Sequence, residues 1–524
     1  MNVMNVVEMN QVMGKLCHAL TSGLTEHVLD QIFVRGSGTR LRIHDLGLDI
    51  KGFDNISGIL KLPEYADYFK GMFHMLHSNA CEERGERLYG HWNAHSFILV
   101  KPDESGVCQG ARFGYFRFEA IFIRTDDGCK IESLDVRALV LFKKWPCTSG
   151  SKMRFLQSDL VQDTGFTGAH LDADTYIQLR NLMGRFVQEG PEQAVKLFSE
   201  VEFSSFYNPF LDGKAVTDYG DFKDLLEKIS REEKKSRVYA FHMMAAAPIF
   251  KMANESSADG IFMAQMLDFI REPDERYKVG FWIGRIAVHY IKREVWQFTD
   301  FKVEPVICLG IEDFTINPER PMAMRDEINW RKAPEISPYT LGHADDLFAA
   351  ESVLPQWTER LKRGDTRDFV ELYMKNSCEE VSMGMSGPRS YGYENVLEHS
   401  GKPDKVLETG TREKRFPQFH IGASPVAEMY DQGKYAKISW LDYGWGNVGY
   451  GVIYREDETQ RMYRPMIGQY YHAFVKDDGQ WKMYEFGWKP LIQWLPLWTY
   501  DTEAVDGWAS EGHGEPWPLP FEMN

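Results

Sequence analysis

The seven cysteines include no Cys-x-x-Cys pair, no run reaches the ~18 apolar residues of a membrane-spanning helix, and cations are in deficit. Each absence excludes a class. The odd, scattered cysteines (Cys17, Cys81, Cys108, Cys129, Cys147, Cys308 and Cys378) argue against a disulfide framework and fit reduced thiols in a cytoplasm. With 60 Lys and Arg against 77 Asp and Glu, the net charge of −17 speaks against nucleic acid or an anionic membrane as partner. The opening MNVMNVVEMNQVMGKLCHAL lacks the basic start and continuous apolar stretch of a signal peptide. The expectation is a cytoplasmic, soluble protein.

What is present is a folded composition, 43% hydrophobic and 14% aromatic, on 524 residues, enough for about three domains of ~150 residues each. An internal echo divides the chain. Phe-His occurs in FHMLHSNA from 73, in FHMMAAAP from 241 and in FHIGASP from 419, which puts His74, His242 and His420 at intervals of 168 and 178 residues. Similar aromatic, β-branched runs follow each pair. They are ERLYGHWNAHSFILV, GYFRFEAIFIRTDDG and KIESLDVRALVLF after the first, and GIFMAQMLDFI, GFWIGRIAVHYIKRE and VWQFTDFKVEPVICL after the second. After the third come YAKISWLDYG, GQYYHAFVKDDG and QWKMYEFGWKPLIQW. Asp-Asp-Gly turns between such runs mark antiparallel hairpins. Ahead of each Phe-His the pattern is helical: Leu179, Leu182, Met183 and Phe186 recur on one face, and Gly190-Pro191 stops them. The segments from 148 and from 313 to 340 read as linkers. The expected architecture is α+β: three units (1–147, 148–315, and 316–524 with a linker and an aromatic tail), each of helices and a curved sheet of about four strands.

This arrangement of helix pair, glycine stop, Phe-His before the sheet and the DDGQW turn at 477 resembles the SnoaL-like branch of the nuclear-transport-factor-2-like superfamily, in three tandem copies. The resemblance implies cones whose sheet curls around helices to leave a deep apolar pocket. Members include scytalone dehydratase, ketosteroid isomerase, polyketide cyclases, epoxide hydrolases and bile-acid dehydratase, working without a cofactor, while other members only bind. It also implies that three copies close as a pseudo-trimer within the chain, with a homo-oligomer as the alternative.

Carried over residue by residue, the resemblance nominates His74, His242 and His420 as pocket acid–base groups. An imidazole near its ordinary pKa of ~6.5 takes up and returns protons at neutral pH. Aligning the next strands sets His95, Asp268 and Asp442 at matching positions as partners, and alternation puts Trp440 on the face of Asp442. Trp357, Trp440, Tyr470 and His472 are expected as walls for a small hydrophobic or aromatic substrate. One departure stands out. Counting back from Gly23, Gly190 and Gly364, the family's helix carboxylate is replaced by Thr21, Gln188 and Lys362.

Three other patterns carry less chemistry. His74, His77, His91 and His95 suggest a metal, but alternation sends His74 and His77 to opposite faces and the cluster does not recur. GWGNVG at 444 matches a dinucleotide fingerprint without the required helix after it. GMSGP at 384 is not a nucleophile elbow. The expectation is no metal, no cofactor, and a lyase of dehydratase or isomerase type, with a non-catalytic binding or scaffold protein as the alternative.

Overall fold

A computed structural model describes residues 2–22, 25–62, 72–99, 107–152, 171–208, 213–236, 242–271, 277–311, 341–362, 371–374, 382–384, 390–391, 419–430, 433–446 and 464–493. The fold is mixed α+β with several curved sheets.

The first stretch holds helices α1 (Val3–Ser22), α2 (Glu26–Ile32) and α3 (Phe53–Leu60). Its strands are β1 (Arg40–Ile43), β2 (Leu48–Lys51), β3 (Met72–Arg84), β4 (Arg87–Leu99), β5 (Val107–Thr125) and β6 (Gly128–Lys152). The second holds α4 (Ala173–Gln188), α5 (Pro191–Ala194) and α6 (Tyr219–Ser236). Its strands are β7 (Ser205–Tyr207), β8 (Ala215–Val216), β9 (His242–Asn254), β10 (Ser257–Arg271), β11 (Tyr277–Lys292) and β12 (Trp296–Ile311). The third holds α7 (Ala344–Glu351) and α8 (Val353–Lys362). Its strands are β13 (Ser382–Gly384), β14 (Ser390–Tyr391), β15 (Phe419–Tyr430), β16 (Tyr435–Gly446), β17 (Arg464–Asp477) and β18 (Gln480–Gln493).

The strands form three six-stranded sheets of one order: β2-β1-β6-β5-β4-β3, β8-β7-β12-β11-β10-β9 and β14-β13-β18-β17-β16-β15. Four long antiparallel strands were legible in each. The short pair that completes each sheet, one of its strands parallel to the last long strand, was not. Two- to four-residue strands carry too little alternation to register. Phe73-His74 and Phe419-His420 lie at the start of a long strand and His242 opens another, not ahead of the sheet, and β6 runs on to Lys152, past the expected boundary at 147.

Local chemistry accounts for the helix starts. Thr25 caps α2 by accepting from the Val28 amide, and Asp172 caps α4 by accepting from the Thr175 amide. α1 is buried nearly all round, including Gln11, Lys15 and His18, because it lies between its own sheet and β9 of the second. In the same way α4 lies on β15, and α8 contacts β3. One apolar cluster therefore joins the first sheet to Ile261, Met263 and Ile283 of the second and Ile421 and Leu441 of the third.

β-Bulges set a common register. The last long hairpin of each sheet shares two slips, six residues apart: at Tyr115/Phe116 and Ile121/Phe122, at Ile283/Gly284 and His289/Tyr290, and at Ile467/Gly468 and Ala473/Phe474. Opposite the first slip stand Ala94, Ala264 and Asp442. These three positions are equivalent.

Candidate functional site

On the inner face of the third sheet, aromatic rings surround a small polar group. Trp357 reaches in from α8, Trp440 and Asp442 from β16, Tyr470 and His472 from β17, and Phe486 from β18; all six are buried. Strand alternation from 438 to 442 and from 470 to 474 brings them to one face. The Trp357 ring sits 4.7 Å from Phe486 and 6.4 Å from Tyr470. His472 lies 4.9 Å from Tyr470 at 29°, 5.1 Å from Trp440 and 4.7 Å from Phe486.

The electrostatics follow from this enclosure. Asp442 is fully buried. Burial, and next the Asp442 carboxylate beside it, push the Tyr470 phenol well above its usual range, so its proton stays on. Burial lowers His472 to about 3, making it a neutral imidazole. Among the described residues neither of its ring nitrogens has a hydrogen-bond partner. An enclosed imidazole in that state costs free energy until something bonds it.

The equivalent inner faces differ. Asp442, Tyr470 and His472 correspond to Ala94, Phe118 and Ala120 in the first sheet, and to Ala264, Ile286 and Val288 in the second. The first sheet keeps a narrow cavity of about 30 Å³ bordered by Leu16, Leu60, His74, Phe116, Phe118 and Val136. There His74 Nδ1 is 2.7 Å from Ser96 Oγ, and burial lowers the imidazole to about 3. The second inner face is filled by Phe186, Phe198, Phe206, Phe222, Phe298 and Phe301, with ring separations from 4.4 to 6.1 Å.

The sequence-derived candidates distribute as follows. His74 pairs with Ser96 and His420 with Gly444, each two residues beyond the equivalent position, so these two share a register. His242 pairs with Leu267, three beyond, and is displaced by one. The alignment of His95, Asp268 and Asp442 fails: His95 is one residue and Asp268 four residues beyond the position Asp442 occupies. His95 faces away from its own sheet's inner side, its Nε2 2.5 Å from Gln265 Oε1 and its Nδ1 2.7 Å from His77 Nε2. The side chains of His242, Asp268 and His420 lie outside the described residues, as do the segments 153–170 and 312–340 and residues 494–524. For His74 the expectation of an imidazole near its ordinary pKa is not met, because burial lowers it to about 3, as it does His95 and His472; His242 and His420 lie outside the described side chains. Trp357, Trp440, Tyr470 and His472 do come together as expected.

Among the described residues no group of three or more His, Cys, Asp or Glu is placed to hold a metal ion, and no helix is long and apolar enough to cross a membrane. GWGNVG begins inside β16, which is strand through Gly446; the remainder lies outside the described residues.

No family model and no curated protein matches the chain. Solved structures do. A nuclear transport factor 2-like superfamily protein from Salmonella enterica serovar Typhimurium is 11% identical at a TM-score of 0.23, covering 26% of this chain and 93% of its own. Hexachlorocyclohexane dehydrochlorinase LinA-type3 from Novosphingobium barchaimii is 10% identical at 0.23, over 28% and 94%. An NTF2-like protein with a cystatin-like fold from Novosphingobium aromaticivorans is 17% identical at 0.21, over 26% and 82%. At such scores the site has to be read from this chain's own residues.

Proposed function

We propose that the third inner face binds a hydrophobic, ring-bearing small molecule and carries a cofactor-independent elimination or isomerisation. One observation carries this reading: a buried carboxylate, a phenol that keeps its proton and a neutral imidazole share one aromatic-walled face, at three positions that hold apolar side chains in both counterparts. Asp442 and His420 form the proton-transferring pair. Their backbone positions are diagonal neighbours across β15 and β16, since His420 pairs with Gly444 and Gly422 with Asp442. In an elimination the pair takes a proton from substrate carbon, the electrons of that bond form the double bond, and the leaving oxygen departs with a proton supplied by Tyr470. The Tyr470 proton is then restored from the pair. His472 bonds a polar group of the substrate, and Trp357 and Trp440 hold its ring.

We further propose that 1–147, 148–315 and 316–524 are three copies of one unit closed as a pseudo-trimer. Support comes from the shared strand order and from helices that each lie on the next sheet's first long strand.

The alternative is a binding protein without chemistry, favoured at the second sheet by its phenylalanine filling. A panel of cyclic alcohols and ketones, followed by loss of substrate and by thermal shift, separates the readings. Turnover that vanishes in His420→Ala and Asp442→Asn supports the enzyme. Ligand-induced stabilisation without turnover, retained in both variants, overturns it.

A further inference from the structure

Two junctions between neighbouring sheets are built on matching positions and differ in the helix residue that holds the bulge. At the first, α1 lies on β9, and the Gln11 side chain acts as a peptide group, donating to the Phe250 carbonyl and accepting from the Phe250 amide, both at 3.0 Å. At the second, α4 lies on β15, and Asn181 does the same to Ala427, at 2.8 and 3.2 Å. Gly14 and Gly184 occupy matching places, where a Cβ would collide with the Pro248 and Pro425 carbonyls. One turn on, His18 Nε2 is 3.0 Å from the Ala247 carbonyl, and Gln188 Nε2 donates to the Ser424 carbonyl at 2.6 Å. Ala247 and Ser424 both begin a bulge at positive φ, 47° and 49°. His18 and Gln188 do one job on one acceptor, but only the histidine titrates.

The geometry fixes the histidine's protonation. A carbonyl only accepts, so His18 Nε2 carries the hydrogen and Nδ1 is bare. Nδ1 is enclosed with no partner among the described residues. On β11, Arg285 donates to the His18 carbonyl at 2.8 Å and to the Thr21 hydroxyl at 2.5 Å. A second proton would therefore create a buried cation with nothing to accept from it, beside a fixed guanidinium.

We infer that His18 is an acid-released latch between the first and second sheets, whereas Gln188 leaves the matching place between the second and third without a titrating group. The group that titrates there, Glu428 of β15, is raised to about 8 by burial and so favours that junction as pH falls, the opposite sense to His18. The groups around the latch agree with this. From β9 it meets a neutral carbonyl. From β11 it meets Arg285, which burial lowers to about 10 while Glu304 of β12 opposes that shift. On α1 itself Lys15 turns to Gln31 of α2. The same junction holds the His77–His95 pair against Gln265 of β10, also neutral through burial. Burial first and Arg285 second hold His18 well below the ordinary imidazole range. A base with a depressed folded pKa is bound by protons preferentially when released. The latch is thus fully closed above about pH 6.5 and loses up to about tenfold in its closing equilibrium per pH unit below that.

Hydrogen–deuterium exchange on the full chain, corrected for intrinsic rates, tests this between about pH 7.5 and about pH 5. Segments 3–22 and 242–254 should lose at least about tenfold more protection than 173–188 and 419–430. His18→Gln, which copies the other junction, should shrink that loss by about tenfold, with the residue due to His77 and His95. Gln188→His should make 173–188 and 419–430 acid-sensitive. Equal losses at both junctions, or a His18→Gln profile that follows the wild type, overturns the latch. Should His18→Gln not fold, Gln188→His decides: unchanged acid protection at the second junction overturns it.

Discussion

The second and third inner faces share strand order, bulge positions and a helical aromatic residue, yet one is filled and the other furnished. In the second, Phe186 packs 4.4 Å from Phe301; in the third, Trp357 packs 4.7 Å from Phe486 in the corresponding place. Around these anchors the second face adds further phenylalanines, which maximise apolar burial, with Tyr290 packed 5.1 Å from Phe298 among them. The third places Asp442, Tyr470 and His472 where the second has Ala264, Ile286 and Val288. Polar groups so deeply enclosed weaken folding unless bonded, so three of them at positions that are apolar in both counterparts mark that face as the one under chemical demand.

The comparison is most easily broken at the carboxylate. Asp442→Asn should lower turnover by about 10²–10⁴-fold, near 3–5 kcal/mol of barrier, with little change in melting temperature. Equal activity in the variant would remove the chemical distinction between the faces. Next comes Phe298→Ala in the second face, expected to cost about 3–5 kcal/mol in urea unfolding while turnover of the folded protein persists. A loss of turnover larger than the loss of folded protein would make the second face more than scaffold.

The smallest effect is a pH dependence. His472 has its folded pKa lowered to about 3. Its contribution to stability is therefore complete above about pH 6.5 and is lost as pH falls toward 3, because the unfolded chain takes the proton first. His472→Val, copying Val288, should remove up to roughly 2–3 kcal/mol of acid destabilisation at about pH 4.5 in denaturant titrations. An unchanged acid limb would mean that His472 is not the buried base.

Much of this was legible in the residues. The nine runs read as strands are strands, since each is long enough for aromatic and β-branched residues to declare a period of two. The aromatic walls of the third face were found for the same reason, through alternation of Trp440 with Asp442. Register was not legible. One residue of slip separates His242 from the position shared by His74 and His420, and bulges, which create such slips, leave no clear trace in a hydrophobic pattern. Counting from glycine stops matched Gln188 with Thr21, whereas the hydrogen bonds match it with His18; helix ends fray by a turn and contacts do not. Burial also defeated the reading of His74. A sequence shows that an imidazole is present, but its basicity depends on how much water the fold removes.

The amide side chains of Gln11 and Asn181 have a consequence beyond holding helices to sheets. β9 and β15 each end a sheet, and a terminal strand offers a row of outward N–H and C=O groups to any passing chain. By occupying both groups of Phe250 and of Ala427, the two side chains stand in for an absent neighbouring strand. At these two points each edge is occupied from within the same polypeptide, so a foreign strand cannot pair through Phe250 or Ala427.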